Sequence, residues 1–398
     1  MAGILKIKNI GSDSHLSNDR VKLKTKIIYL SIFMLLSVTI GLIPHQPTVN
    51  NDNQQVGADT DEYITWINAL IESNDAQEFI RQAFIIQQYG DRPLALIFLF
   101  TLVKIISADP SYTIDFVVPM ILGPALVLVV YFLTRELTSN DITSLVSSFL
   151  TAVSFHILIG IYAGFYANWF ALIIGYLMFV FLIRFLKAPS KLNFTIYSLL
   201  IVTLLFSHVY TWSVLVIVIG IFLAVMFKLD YYPKKSIILL SLVVLFSVVI
   251  DVTRMTITGS ISGIEKDISI AEIGVGLEQF ALRWSNLINT TQNYLGSLFS
   301  NFIFLVLGMY WLFRSNLREP STIFLIIFLS LGIIPLFFGD WIVQSRVLYN
   351  IPFQIPAAIA FTYIKNQGNR NIILLPICIW LIAVSIRAVS NFYLILPS

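Results

Sequence analysis

The segment Gly57-Ala58-Asp59-Thr60-Asp61-Glu62-Tyr63 places three carboxylates within four residues, shortly after the apolar run of residues 27–43. That run is long enough to cross a bilayer, for which a helix needs about 17 to 25 apolar residues. A carboxylate cluster at the first exit from the membrane suits acid–base or metal chemistry at the boundary between lipid and water. The segment therefore predicts a membrane enzyme.

The whole chain is too apolar for an ordinary soluble domain. Its 398 residues are 57% hydrophobic and 12% charged, and the mean hydropathy is +0.84. Apolar runs of spanning length recur along the sequence, which predicts an all-α polytopic membrane protein. The single cysteine, Cys378, lies within an apolar run, so the sequence excludes a disulfide framework and a cysteine metal site.

The hydrophobic pattern predicts about eleven transmembrane helices in a single membrane domain of residues 27–398. The predicted spans are residues 27–43, 116–133, 142–159, 165–186, 194–207, 210–227, 236–252, 298–313, 321–338, 347–364 and 371–389. A basic segment, residues 1–26, precedes them, and the short basic connections all fall on the same side of the membrane as that segment. Because cytoplasmic loops are enriched in Lys and Arg, the N-terminus is predicted to be cytoplasmic and the protein to lie in the plasma membrane.

Two long connections, residues 45–115 and 253–297, are predicted to be external. The first has amphipathic patterns at residues 61–72 and 76–88, which predict two helices near the membrane surface. Residues 94–106 are apolar but too short to span, so they are predicted to form a helix in the interface. The polar residues near helix ends collect on this external side, which predicts one external active site.

The residue types in this cluster indicate the chemistry. Asp59, Asp61 and Glu62 are candidate catalytic acids or bases, and close carboxylates raise one another's pKa. Asp59 and Asp61 are also candidate ligands of Mg²⁺ or Mn²⁺, which prefer hard oxygen donors. Arg346 can clamp a phosphate with two parallel hydrogen bonds. The candidate substrate-binding residues are Arg92, His156, Asn168, His208, Tyr210 and Arg346.

Each candidate also has a structural interpretation. The acidic motif can cap the helix at residues 61–72 through Thr60 or Asp61, because acids are favoured in a first helical turn. Arg346 can anchor a helix end at the headgroups. His156 and His208 can serve packing or a kinked turn beside interfacial aromatic residues. The dipeptide Asp91-Arg92 can form a local ion pair before a helix that begins at a proline.

Taken in order, these motifs resemble the GT-C fold membrane glycosyltransferases. Asp59-Thr60-Asp61-Glu62-Tyr63 is similar to the Asp-Glu motif of the protein O-mannosyltransferase and aminoarabinose transferase branch, and it contains the Asp-x-Asp of oligosaccharyltransferases. Gly90-Asp91-Arg92-Pro93-Leu94 is similar to the basic-Pro-Pro-Leu segment that opens the family's juxtamembrane helix. Ala163-Gly164-Phe165-Tyr166-Ala167-Asn168 lies where oligosaccharyltransferases carry a second external motif, with Asn168 in place of an acid.

The resemblance implies a hexosyl- or pentosyltransferase. Its donor would be a sugar on a polyprenyl or dolichyl phosphate, and its acceptor a protein, lipid or glycan on the external face, with no nucleic-acid partner. The resemblance further implies that Asp61 or Asp59 deprotonates the acceptor, that Arg346 holds the donor phosphate, and that the anomeric configuration is inverted. In that family the acidic motif and the second external motif can together hold a metal ion. This chain has Asn168 where the second motif would have an acid, so it departs from that pattern.

A transporter or flippase for a lipid-linked or small polar solute is the alternative from another class. The chain shows no two matching halves, and its polar groups lie toward one side of the membrane rather than at the midplane. Both features favour the enzyme. An assembly protein that kept the scaffold without catalysis is a third interpretation, which the residues leave open.

Overall fold

The computed structural model describes residues 20–260, 281–282, 284–285, 298–333, 341–366 and 371–390. Its regular elements, within that part of the chain, are all helical. The main helices are α1 (Leu23–Leu42), α2 (Thr60–Ile71), α3 (Ala76–Arg81), α4 (Pro93–Ile106), α5 (Val118–Thr138), α6 (Asp141–Ala152), α7 (Phe155–Tyr162), α8 (Tyr166–Lys187), α9 (Lys191–Ser207), α10 (Val209–Lys228), α11 (Lys234–Thr258), α12 (Leu298–Arg314), α13 (Pro320–Ser330), α14 (Trp341–Asn350), α15 (Gln354–Asn366) and α16 (Asn371–Ser390).

The predicted all-α integral membrane protein is confirmed, but the predicted count of about eleven spans is not. Six stretches in the described part are long and apolar enough to cross a membrane: Leu23–His45, Tyr112–Thr138, Asp141–Tyr162, Tyr166–Lys187, Val209–Lys228 and Lys234–Thr258. Other apolar helices are shorter, among them Pro93–Ile106, Lys191–Ser207 and Pro320–Ser330. The length of Pro93–Ile106 matches the predicted short helix of residues 94–106.

Two predicted spans are interrupted in the structure. Residues 142–159 are divided between α6, which ends at Ala152, and α7, which begins at Phe155. Residues 347–364 were predicted as a single helix, but α14 ends at Asn350 and α15 begins at Gln354. Pro352 lies in the break, has no backbone N–H to donate, and disfavours a helical conformation at Ile351. Arg346 therefore lies on α14, which this break separates from α15.

The core of the bundle lies among α5, α8 and α10, where large aromatic side chains are fully buried. Trp169 and Trp212 have no exposed surface. A Cβ atom at Gly160 would come within 2.3 Å of the Trp169 ring, so the glycine allows close packing of α7 on α8. Since lipid is as apolar as the core, such close packing holds membrane helices together. The outer faces of α1 and α11 carry exposed apolar side chains such as Leu35 and Phe246.

The first long connection folds over one end of the bundle. Its helices α2 and α3 lie at the residues where amphipathic helices were predicted, and five π-helical residues, Gln82–Ile86, follow α3. Ala58 donates its backbone N–H to Tyr162 O at 2.8 Å, and Val209 donates to Asp91 O at 3.0 Å. We call this the site end. Ion pairs such as Lys26–Asp141, at 2.6 Å, lie at the opposite end.

Candidate functional site

The two sequence motifs meet at the site end. Asp59 donates its backbone N–H to Ala163 O at 3.3 Å. The hydroxyl of Tyr63 accepts the backbone N–H of Ala167 at 3.1 Å. Gly164 has a φ of +66°, and a Cβ atom there would lie 2.9 Å from the nitrogen of Asp59. The glycine therefore supplies a left-handed turn and a close approach that other residues would disturb.

A carboxylate that sequence reasoning did not place in the site anchors the acidic motif. Buried Asp115 accepts hydrogen bonds from the backbone N–H groups of Val56 and Gly57, both at 2.9 Å. Its Oδ1 also accepts the hydroxyls of Thr60, at 2.9 Å, and Tyr166, at 3.2 Å. This network fixes the backbone on both sides of Asp59. The only sequence signal was a lone acid within the apolar stretch of residues 112–118.

Within the acidic motif, the three carboxylates differ in environment. Asp59 is half-buried, whereas Asp61 and Glu62 are exposed. Asp59 occupies the N-cap position of α2, yet its side chain makes no capping hydrogen bond. Burial, with a smaller contribution from the charge of Glu62, raises the pKa of Asp59 to about 6, although Arg346 and Arg92 act in the opposite direction. The carboxylate of Asp59 therefore does not cap the helix, and its pKa suits a general base near neutral pH.

Arg92 lies beside the acidic motif on an aromatic platform. Its guanidinium carbon is 5.3 Å from the centre of the Trp66 ring. Nη1 donates to the hydroxyl of Tyr63 at 3.2 Å, while Nε is buried and has no hydrogen-bond partner among the residues that the structure describes. A buried guanidinium N–H without a partner is costly, so the site favours an incoming acceptor at this position.

Arg346 reaches the same site from α14. Its guanidinium carbon lies 5.9 Å from the ring centre of Tyr210, near the start of α10. Among the described residues, no carboxylate oxygen lies within the 4.0 Å ion-pair distance of either Arg92 or Arg346. Both cations therefore rest on aromatic rings, near enough to Asp59 to influence its charge.

Two further candidates, Asn168 and His208, form a buried polar chain with Thr211. Thr211 donates its hydroxyl to Oδ1 of Asn168 at 3.1 Å. Nδ1 of His208 accepts the backbone N–H of Thr211 at 3.1 Å and so caps α10. Nδ2 of Asn168 is buried with no hydrogen-bond partner. His208 therefore forms the turn before α10, as in its structural interpretation. Asn168 lies about one helical turn beyond Gly164.

His156 lies within the helix interface. It is fully buried and its ring packs 4.0 Å from that of Phe155 and 5.4 Å from that of Tyr349, measured between ring centres. Its Nδ1 lies 3.4 Å from the hydroxyl of Ser154. These contacts place its ring among the side chains of α7 and α14.

Asp59 and Asp61 are also the predicted metal ligands. Among the described residues, no group of three or more His, Cys, Asp or Glu side chains is arranged to hold a metal ion. Asp61 is exposed, and Asn168 offers a carboxamide where a second acid would be needed. The described residues thus do not make a complete set of carboxylate ligands for Mg²⁺ or Mn²⁺.

Comparison with known proteins gives matches in structure only. No protein-family model and no curated protein sequence matches the chain. The oligosaccharyltransferase of Archaeoglobus fulgidus in its apo form superposes with a TM-score of 0.66 at 14% identity, covering 93% of this chain and 56% of that one. Its complex with an inhibitory peptide and a dolichol-phosphate gives 0.63, at the same identity and coverage. Another structure of that enzyme is a complex with Zn and sulfate.

A second enzyme shows the same architecture. The mycobacterial arabinofuranosyltransferase AftD superposes with a TM-score of 0.55 at 11% identity, covering 95% of this chain and 27% of that one. This chain therefore spans about half the length of the archaeal enzyme and a smaller share of AftD. At these identities the likeness concerns the fold. The chain has the GT-C fold, which it shares with these membrane glycosyltransferases.

Proposed function

We propose that the chain transfers a sugar from a polyprenyl- or dolichyl-phosphate-linked donor to an acceptor hydroxyl or amide on the external face of the membrane. The observation that carries the proposal is the half-buried Asp59, which makes no capping bond and lies near two arginines that rest on aromatic rings. A base beside two cations matches a reaction in which a proton leaves the acceptor and a phosphate leaves the donor. The dolichol-phosphate bound by the archaeal neighbour supports this class of donor.

The proposed mechanism is a direct displacement. Asp59 takes the proton of the acceptor, the acceptor atom forms a bond to the anomeric carbon, and the bond from that carbon to the phosphate oxygen breaks. The bonding electrons leave with the lipid phosphate, whose charge Arg346 and Arg92 neutralise. A single displacement inverts the anomeric configuration. Asn168, with Thr211 and His208 behind it, then faces the sugar or the acceptor.

The acidic motif offers a test with an internal control. Asp59→Asn should lower transfer from a lipid-phosphate sugar by about 100- to 10,000-fold, the usual contribution of a general base. Asp61→Asn should keep most of the activity, because the Asp61 side chain is exposed. Both variants should be purified in similar yield and unfold at similar temperatures. Near-normal transfer by Asp59→Asn would leave the motif with a structural role only.

A further inference from the structure

A buried ionic cluster lies behind Arg92, at the site end of α11. Nη1 of Arg254 donates to Oδ1 of Asp91 at 2.8 Å, and Nη2 lies 2.9 Å from Oδ1 of Asp251. All three residues are buried. Asp251 and Arg254 belong to a helix that is long and apolar enough to span the membrane. Ionisable residues in such helices are costly and mark functional sites, while buried ion pairs add little net stability.

The backbone held by this cluster has an unusual conformation. Gln88, Tyr89 and Gly90 have φ values of +50°, +51° and +69°. Such left-handed residues persist only where surrounding contacts fix them. Arg254 supplies one such contact through Nη1, which donates to Tyr89 O at 3.3 Å. A Cβ atom at Gly90 would come within 2.3 Å of a backbone oxygen, so the segment has little room to shift.

The contacts of Arg254 differ from those of Arg92. The guanidinium of Arg254 is directed at Asp91, Asp251, the carbonyl of Tyr89 and, at 2.8 Å, the hydroxyl of Ser260. Its donors are therefore committed to the protein. Arg92 keeps a buried Nε–H without a partner and faces an aromatic ring. Of the two cations, Arg92 is the one suited to bind an anion directly.

We propose that Arg254 is a positioning residue that fixes the backbone of Tyr89–Asp91 and thereby holds the side chain of Arg92 toward the anionic group of the substrate. The inference deepens the proposed function and rests on it for the identity of that group. The pair of Arg254 with Asp91 joins α11 to the first long connection, and the backbone carbonyl of Asp91 also accepts the N–H of Val209, at the start of α10, at 3.0 Å. The side chain of Arg254 acts only through its neighbour.

The first test measures binding of dolichyl phosphate to the purified full chain in nanodiscs. Arg92→Gln should weaken binding by about tenfold, the value of one charge-assisted contact. Arg254→Lys keeps the charge but cannot reach both carboxylates and the Tyr89 carbonyl together, so it should weaken binding severalfold. The double variant should bind no more weakly than Arg92→Gln, because both changes remove the same contact. Effects that multiply, or full affinity in Arg254→Lys, would overturn the proposal.

The second test follows the position of residue 92 without any ligand. In a Cys378→Ser, Arg92→Cys protein, Arg254→Lys should speed modification of the new thiol by a methanethiosulfonate reagent severalfold. The matched control is Arg184→Lys, which alters the Glu136 ion pair at the opposite end of the bundle and should leave the rate unchanged. Equal modification rates in the proteins with Arg254 and with Arg254→Lys would overturn the positioning role of Arg254. This test needs no ligand, so it decides the matter even if the wild-type chain binds no dolichyl phosphate and the proposed function fails.

Discussion

At the scale of single residues, the carboxyl group of Asp59 determines how activity should depend on pH. Burial raises its pKa to about 6, and a general base works only in its unprotonated form. We therefore expect kcat/KM to be constant above this pKa and to fall about tenfold per unit as the pH drops below it. Transfer rates measured between about pH 4.5 and 8 check the expectation.

A neighbouring acid provides the control for this pH dependence. The charge of Glu62 contributes to the raised pKa of Asp59, and its side chain is exposed. Glu62→Gln should therefore move the acidic limb of the profile to lower pH without abolishing transfer. A wild-type profile with no limb near pH 6, or a limb that Glu62→Gln moves upward, would contradict the role given to Asp59.

Arg346 should reveal its role through the difference between alanine and lysine. A guanidinium offers a planar fork to two phosphate oxygens, whereas an ammonium group offers one compact charge. Arg346→Ala should cost about 1.5–3 kcal/mol of donor binding, which is about a ten- to hundredfold rise in donor KM, and Arg346→Lys should recover only part of it. Donor titration of the two variants separates phosphate binding from headgroup anchoring, because lysine would replace Arg346 fully if the side chain only anchored the helix.

The sequence identified the acidic motif but could not rank its carboxylates. The structural interpretation places the cap at Thr60 or Asp61, and the resemblance implies Asp61 or Asp59 as the base. In the structure the N-cap falls at Asp59. Successive side chains on a helix point about 100° apart, so the carboxylate that faces the site depends on how the start of α2 is held. A hydrogen bond from Thr60 to Asp115, 55 residues away, helps to hold it.

At the scale of elements, the turn at Gly164 connects the start of α8 to the acidic motif. Gly164→Ala should destabilise the protein by about 1–2 kcal/mol, because alanine pays for a left-handed conformation, and should lower transfer by displacing Asp59. Gly220→Ala in α10 is the matched control, since no atom lies within 4 Å of the added Cβ, and it should be neutral or slightly stabilising. Thermal unfolding and transfer rates measure both; equal behaviour of the two variants would show that the turn does not matter.

Local sequence patterns predicted where helices begin and end better than they predicted which residues contact each other. The amphipathic period at residues 61–72 marked α2 closely, and Pro93 marked the start of α4. The period at residues 76–88 marked the start of α3, but the α-helix ends at Arg81 and π-helical residues follow to Ile86. The structural interpretation of Asp91-Arg92 is a local ion pair, whereas in the structure Asp91 pairs with Arg254, 163 residues later. Such a pairing depends on how helices pack, which a single sequence does not show. The sequence shows Pro352, which can interrupt a helix, but the long apolar run on both sides of it favoured one continuous span.

At the scale of the whole molecule, the distribution of charge predicts how the chain lies in its membrane. In a Cys378→Ser background, a cysteine introduced at residue 75 should be modified by an impermeant reagent added outside intact cells. A cysteine at residue 188 should be modified only after the membrane is opened. Both positions are exposed in the structure. Labelling of residue 188 from outside would reverse the orientation and place the site on the cytoplasmic face.

The aromatic supports of Arg92 and Arg346 have a consequence for the end of the catalytic cycle. When a carboxylate of the protein holds a guanidinium, an arriving phosphate must displace that carboxylate. The same carboxylate later helps to release the phosphate by binding the guanidinium again. Here the cations rest on the rings of Trp66 and Tyr210, and among the described residues neither forms an ion pair that a lipid phosphate would have to displace. In the proposed reaction the carrier would leave with more negative charge than it had when esterified, so we expect it to remain bound and to compete with fresh donor.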